Sequence, residues 1–239
     1  MPGKRRMTTL RSRVAEFVHD AHEAERRIRD GEVLVGGGVV TNPGSMVPPG
    51  TAVAIKEERV LRGRRKLQAA LSRWDDVTVA GAVALDAGAA AGGFTQALLE
   101  AGARRVYAVE AGYGQLLGSL RQDARVVNLE RVNLGVLGPQ SVPDALDLVT
   151  LDLGYLALAN GVPQLNALRF AAAAELIALV KPMFELALGE PPEDRATLSR
   201  AREAAAAGIE AAGWAVLDSI DSPVRGSKGA RELFLRARR

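Results

Sequence analysis

Apolar positions fall into two patterns along this chain. Between Leu10 and Asp30, the residues Val14, Phe17, Val18, Ala21, Ala24 and Ile28 recur at helical spacing, which predicts two short helices with a break near Asp20 to His22. Gly31 stops the second. GEVLVGGGVVTNPGSMVPPGTAVAIKE then reads as short strands cut by GGG, NPG and PPG, each a turn signal because glycine supplies positive φ and proline fixes its own. From about residue 60 the pattern becomes one of strands alternating with helices. A helix is predicted over 66–74, strands at AVALDAG, RVYAVEA, RVVNLE, LDLVTLDL and ELIALVKP, and helices between them, clearest at GGFTQALLEAG and EDRATLSRAREAAAAGIEAAG. The last two strands, WAVLDSIDSPV and RELFLRARR, have no helix between them. Alternation demands a parallel sheet, and a closing hairpin adds an antiparallel strand.

The expected fold is therefore α/β: a seven-stranded, Rossmann-like doubly wound sheet of the methyltransferase type with an antiparallel last strand, behind a small N-terminal α+β domain. The 239 residues are 48% hydrophobic and 4% aromatic, enough for one large core and a small one. No apolar run approaches the eighteen or so residues of a membrane span, and cysteine is absent, so no membrane partner and a cytoplasmic location are expected. Charge sharpens the division. Residues 1–66 carry 14 Lys and Arg against 8 Asp and Glu, and the remainder 17 against 20. A cationic module on a near-neutral body suits a polyanion binder with a separate working domain. His19 and His22 lie three apart with no third ligand in view, so no metal is expected.

The stretch AVALDAGAAAGGFTQALLEAG (82–102) is a glycine-rich turn between a strand and a helix. Phe94 and Thr95 stand where a phosphate-binding loop needs its lysine and hydroxyl, and Ala90 replaces the middle glycine of a dinucleotide fingerprint. The carboxylate of Asp86, just before the turn, suits a ligand with a cationic end. S-adenosylmethionine, with its ammonium and sulfonium, fits: Gly88, Gly92 and Gly93 would admit it closely, Asp86 would offset its charge, and Glu110 would accept hydrogen bonds from its ribose. The competing reading is that these glycines only allow tight strand–helix packing.

Lysine occurs five times against 26 arginines. A compact amine can act as a proton acceptor where guanidinium cannot, and Lys181 closes a strand at the carboxyl edge of the sheet, where open α/β folds hold ligands. Asp152 occupies the same edge one strand earlier. With Lys66 and Glu232 they form a possible constellation, each member of which could equally be a sheet-edge salt bridge. If Lys181 accepts a proton, Asp152 would orient it, Lys66 would act on it by like-charge repulsion and Glu232 would hold the lysines. The basic run RVLRGRRK offers Arg59, Arg62, Arg64 and Arg65 to RNA phosphates.

These residues sit in motifs that resemble one family. GEVLVGGGVVTNPGSMVPPG, LRGRRKLQAAL, LDAGAAAGGFTQALLEAGARRVYAVEAGYGQL, RVVNLERVNL, LDLGYLAL, LVKPMFE and SPVRGSKGARELFL occur in order, and the chain resembles the hemolysin A (TlyA-like) family. The resemblance implies an S4-like RNA-binding domain over 1–58, a basic linker over 59–65 and an FtsJ-type methyltransferase domain over 66–239. It implies S-adenosylmethionine as cofactor, with Phe94, Asn133 and Asp152 among its contacts. It further implies 2′-O-methylation of cytidine in ribosomal RNA or ribosomal subunits, and a catalytic Lys-Asp-Lys-Glu tetrad on Lys66, Asp152, Lys181 and Glu232. This sequence departs from the family pattern in GAAAGGFT, which lacks two hydroxyls, in DLGYLAL and KPMFE, and in the alanine of SPVRGSKGARE. Those changes keep open a small hydroxylated substrate, or an RNA-binding protein that no longer methylates.

Overall fold

The computed structural model describes residues 7–55 and 61–239. They form two compact units, one of residues up to 60 together with 117–122, the other of 61–116 and 123–239. In the first unit, β1 (Thr8–Thr9) leads into α1 (Leu10–Val18) and α2 (Ala21–Arg29). The break between the helices has a local cause. His19 is left-handed at φ 56°, and the Asp20 carboxylate caps α2 by accepting from the amides of His22 and Glu23 at 2.7 and 3.2 Å. Four short strands follow: β2 (Val33–Val35), β3 (Gly38–Val39), β4 (Met46–Val47) and β5 (Val53–Ile55). Their apolar sides meet the helices in a small core of Leu10, Val14, Ala24, Ile28, Val33 and Val47.

In the second unit, α3 (Arg62–Arg73) precedes β6 (Val83–Ala87), α4 (Gly93–Glu100), β7 (Arg105–Glu110), β8 (Val126–Glu130), β9 (Leu146–Leu151) and β10 (Phe170–Val180). α5 (Gly118–Gln122), between β7 and β8, groups with the first unit. The chain ends through α6 (Leu158–Gly161), placed between β9 and β10, then α7 (Pro182–Glu185), α8 (Arg195–Ala211), β11 (Ala215–Asp221) and β12 (Leu233–Arg238). The sheet order is β11-β12-β10-β9-β6-β7-β8. β6 to β10 run parallel, and β12 enters antiparallel between β10 and β11. This is the seven-stranded arrangement expected from the pattern, with the antiparallel strand inside the sheet and β11 outermost.

Two expectations change. The helix expected at 66–74 starts at Arg62, so residues 62–65 of the expected linker are its first turn, while 59 and 60 lie outside the described residues. Regular alternation also fails after β8: only a single 3-10 turn, Leu134–Val136, separates β8 from β9, and α6 has four residues. Buried Leu137, Val142 and Leu153 on irregular backbone, with Leu134, Leu158, Val162 and Leu165 on single-turn helical segments, join the core there, so burial is achieved without a long helical period.

Candidate active site

The turn from β6 into α4 is shaped by close approach of backbone. Gly88 (φ +87°) passes so near the end of β9 that a Cβ there would stand 2.5 Å from the Asp152 carbonyl oxygen. At Gly93 a Cβ would lie 2.8 Å from the Arg64 amide nitrogen and 2.9 Å from Gly63 Cα, on α3. Glycine is thus required at both positions by the chain's own neighbours, as the packing alternative supposed, while Gly92 (φ +94°) is required by its left-handed conformation. Ala90 also takes positive φ, +45°. The turn borders a cavity of about 140 Å³ whose walls include Arg62, Gly88, Ala90, Phe94 and Asp152.

Carboxylates surround this turn. Glu110, at the end of β7, accepts from the Ala90 amide at 3.0 Å and the Gly112 amide at 2.8 Å. Asp86 has no exposed surface; its oxygens accept from the Thr95 hydroxyl at 2.6 Å and the Thr150 hydroxyl at 3.2 Å. Burial pushes its pKa up to about 7, with the charge of Asp152 adding and the two hydroxyls opposing. Asp86 therefore braces β6, α4 and β9 from beneath the turn and does not open onto the cavity. Thr95 and Thr150 were not distinguished by the sequence, since a threonine in a helix or a strand carries no pattern of its own.

Three of the constellation residues are brought to one edge by strand register, and Lys66 reaches it from α3. Val180 of β10 pairs with Leu233 of β12, so Lys181 and Glu232, each one residue beyond, emerge together. Leu151 of β9 pairs with Ala178, which places Asp152 alongside. Lys181 Nζ lies 2.5 Å from Asp152 Oδ1, and Lys66 Nζ donates to Glu232 Oε2 at 2.5 Å. The second pair is buried, with Lys66 and Glu232 at 6% and 7% exposure. Each lysine has its own carboxylate, so the expected repulsion of Lys181 by Lys66 is compensated at source by Glu232. Gly226 packs against that carboxylate so tightly that a Cβ would fall 2.1 Å from Glu232 Oε1. Lys181 and Glu232 also share a second cavity of about 200 Å³, walled by Pro182, Met183, Phe184 and Arg231.

The remaining candidates are dispersed. Arg62 and Arg65 are exposed on α3, whereas Arg64 Nε donates to Glu100 of α4 at 2.9 Å; Arg59 lies outside the described residues. Asn133 is exposed beyond the end of β8 and is not among the residues walling the turn's cavity. A wider depression of about 490 Å³ lies at the opposite, amino edge of the sheet among Asp76, Asp147, Glu175 and Arg238, away from the glycine turn. With Asp152 in the wall, Glu110 at the rim and no lysine in the turn, the donor set suits a cationic ligand better than a pyrophosphate.

Comparison with known proteins bears on family and fold. The S4 domain matches residues 15–53. TlyA of Mycobacterium tuberculosis H37Rv, named a 16S/23S rRNA (cytidine-2′-O)-methyltransferase, is 38% identical over 222 residues, 89% of this chain and 82% of its own length. Hemolysin A of Brachyspira hyodysenteriae is 27% identical over 235 residues, 91% of this chain and 95% of its own. A solved hemolysin structure from Streptococcus thermophilus superposes with a TM-score of 0.71 at 26% identity, covering 98% of this chain and 88% of that one. The FtsJ-like methyltransferase family matches residues 59–239, from before the first arginine of α3 to the end of β12, and the chain belongs to it.

Proposed function

We propose that this protein is an S-adenosylmethionine-dependent 2′-O-methyltransferase of ribosomal RNA, with a cytidine ribose as acceptor. The observation that carries the reading is the pair of lysine–carboxylate contacts, Lys181–Asp152 and Lys66–Glu232, at the carboxyl edge beside an acid-lined turn. The cofactor fits the turn by the chemistry of its surroundings: Asp152 would offset its cationic end, Glu110 would accept from its ribose hydroxyls, and Gly88, Gly93 and Phe94, which wall the cavity, would lie against it, with Gly92, Asp86 and Asn133 outside that wall. When bound, S-adenosylmethionine supplies an electrophilic methyl group.

The chain's own residues then have separable tasks. Lys181 Nζ, as the neutral amine once its ammonium proton has passed to solvent, takes the proton of the ribose 2′-hydroxyl, and Asp152 holds the amine where that hydroxyl arrives. The buried Lys66–Glu232 pair acts as a fixed, charge-matched wall, because neither group can leave without stranding the other away from water. Met183 and Phe184 exclude water from the second cavity, where the acceptor ribose would lie. RNA is held by phosphate contacts from exposed Arg62 and Arg65, from Arg59, and from the S4-like domain over 1–58.

Transfer of labelled methyl from S-adenosylmethionine to ribosomal subunits, followed by mapping of 2′-O-methyl positions, tests the proposal. Incorporation at cytidine ribose is expected. Transfer to no RNA, with the cofactor tightly bound, would redirect the reading to a small hydroxylated substrate or to RNA binding alone. Deleting residues 1–58 should flatten the salt dependence of RNA binding.

A further inference from the structure

Glu185 is the last residue of α7, in the KPMFE stretch, and the roles above leave it unused. Its carboxylate reaches the amide of Leu158, the first residue of α6, with Oε1 at 3.1 Å and Oε2 at 3.2 Å. No cation among the described residues forms an ion pair with it. Leu158 itself is buried, and the residue before α6, Ala157, has no side chain able to cap the helix. Glu185 therefore supplies from a distant segment the cap that the local sequence lacks.

The two segments joined this way are those that carry the Lys181–Asp152 pair. Asp152 begins the stretch that ends at Leu158, and its amide is fixed to the Ala87 carbonyl at 2.9 Å. That stretch is anchored in the core by Leu153 and Leu158, at 3% and 1% exposure, while Gly154 between them has nothing within 4 Å of a built Cβ. Lys181 begins α7, and the amides of Phe184 and Glu185 donate to the Lys181 carbonyl at 2.9 and 3.2 Å. The Lys181–Asp152 contact and the Glu185–Leu158 contact thus close a ring, one at each end of the two segments.

We infer that Glu185 is a positioning residue for the methyl transfer: by clasping α6 to α7 it sets the placement of Lys181 against Asp152. The inference rests on the proposed reaction for its kinetic consequence and on the geometry alone for its structural one. Burial pushes the Glu185 carboxyl up to about 7, with the Leu158 amide opposing. A carboxylate that bears this cost for one amide is poorly explained as surface solvation.

The test compares Glu185→Ala with Glu185→Gln in the full-length protein. The glutamine carbonyl can still accept from Leu158, whereas alanine cannot. Glu185→Ala should lower kcat for methyl transfer at least about tenfold, as misplacement of a reacting group does, with KM for RNA and affinity for S-adenosylhomocysteine unchanged. Glu185→Gln should restore kcat. A purely structural role would lower the melting temperature of Glu185→Ala and leave its kcat per folded molecule alone, and that outcome too would overturn the inference. A second measurement does not need activity. With five lysines in the chain, the side-chain ¹³Cε resonance of Lys181 can be assigned by Lys181→Arg, and it should shift in Glu185→Ala and stay in place in Glu185→Gln. An unchanged Lys181 resonance in the alanine variant, or equal loss of kcat in both variants, would overturn the inference. If the wild type methylates no RNA, the reaction proposal fails, and the resonance still decides the role of Glu185.

Discussion

The two ends of the same sheet treat buried charge in opposite ways. At the amino edge, Glu175 of β10 receives Arg236 Nε and Nη2 at 3.0 and 2.9 Å and Arg238 Nε and Nη2 at 2.9 and 2.5 Å, while Arg236 also holds Asp76 with two bonds of 2.6 and 2.8 Å. Burial would raise the Glu175 pKa, and the two arginines overcome it, so the carboxyl lies below its usual range. At the carboxyl edge, Asp86 and Glu185 are given hydroxyls and an amide but no cation, and burial carries both up to about 7. The lysines there are committed one to one, at 2.5 Å each. A surplus of arginine donors is what a structural network looks like, and carboxylates kept without cations beside singly paired lysines are what a site that moves a proton requires.

The largest effect expected is at Lys181. Lys181→Ala should reduce methyl transfer by about two to four orders of magnitude while retaining S-adenosylhomocysteine, and Lys181→Arg should fail likewise because guanidinium keeps its proton. An active arginine variant would mean that this edge supplies charge alone, and the contrast with Glu175 would lose its functional meaning. At the other edge, Arg236→Ala leaves a buried carboxylate short of partners and should cost about 3 kcal/mol in urea unfolding, with cofactor affinity untouched.

Dependence on pH separates the two ends by sign. A carboxylate whose pKa is raised in the folded state binds more protons folded than unfolded, so Asp86 lowers stability as pH rises from its unfolded value toward 7, with a slope of about 1.4 kcal/mol per pH unit at most. Glu175 is depressed, so its contribution is present above its unfolded value and lost as pH falls through the folded one. Asp86→Asn should flatten the stability profile between roughly pH 5 and 7, and Glu175→Gln should lower stability at neutral pH and flatten the acid limb. Chemical denaturation across pH checks both; a profile for Asp86→Asn parallel to the wild type would remove burial as the controlling term.

The smallest difference is in the glycines. Gly81, at the amino edge, has φ +75° and nothing within 4 Å of a built Cβ, so Gly81→Ala should cost only the backbone strain of about 1 to 2 kcal/mol and no activity. Gly226→Ala has ordinary φ and so adds no backbone strain, yet its methyl must displace the buried Glu232 carboxylate from Lys66. Transfer rates measured at matched folded fractions should fall in the second variant and not in the first.

The strands, the helix break at Asp20 and the glycine turn were readable in the sequence because each follows from local chemistry: period-2 burial, a capping carboxylate, positive φ. The cover of the sheet between β8 and β10 was not, since apolar residues on irregular backbone have no period. Asp152, Lys181 and Glu232 stood out by residue type and strand position, and Lys66 by residue type at the start of a helix. The first three meet through register across three strands, where a shift of one residue would have turned the side chains to the opposite face, and Lys66 reaches Glu232 from α3. Thr95, Thr150 and Glu185 carry no signal in the chain, because a hydroxyl or carboxylate becomes a brace only when a distant segment presents its partner.

What the sequence determined by itself is therefore the class of fold, the two-part division of charge and the four candidate residues of the site, all of them properties of composition and short-range pattern. Only the tertiary structure decided that Gly88 and Gly93 answer to Asp152 and α3, that Asp86 lies beneath the turn and not in the cavity, and that Glu232 neutralises Lys66. The reason is physical: steric approach, desolvation and ion pairing depend on distances between residues far apart in the chain, and those distances exist only once the sheet has closed on its helices.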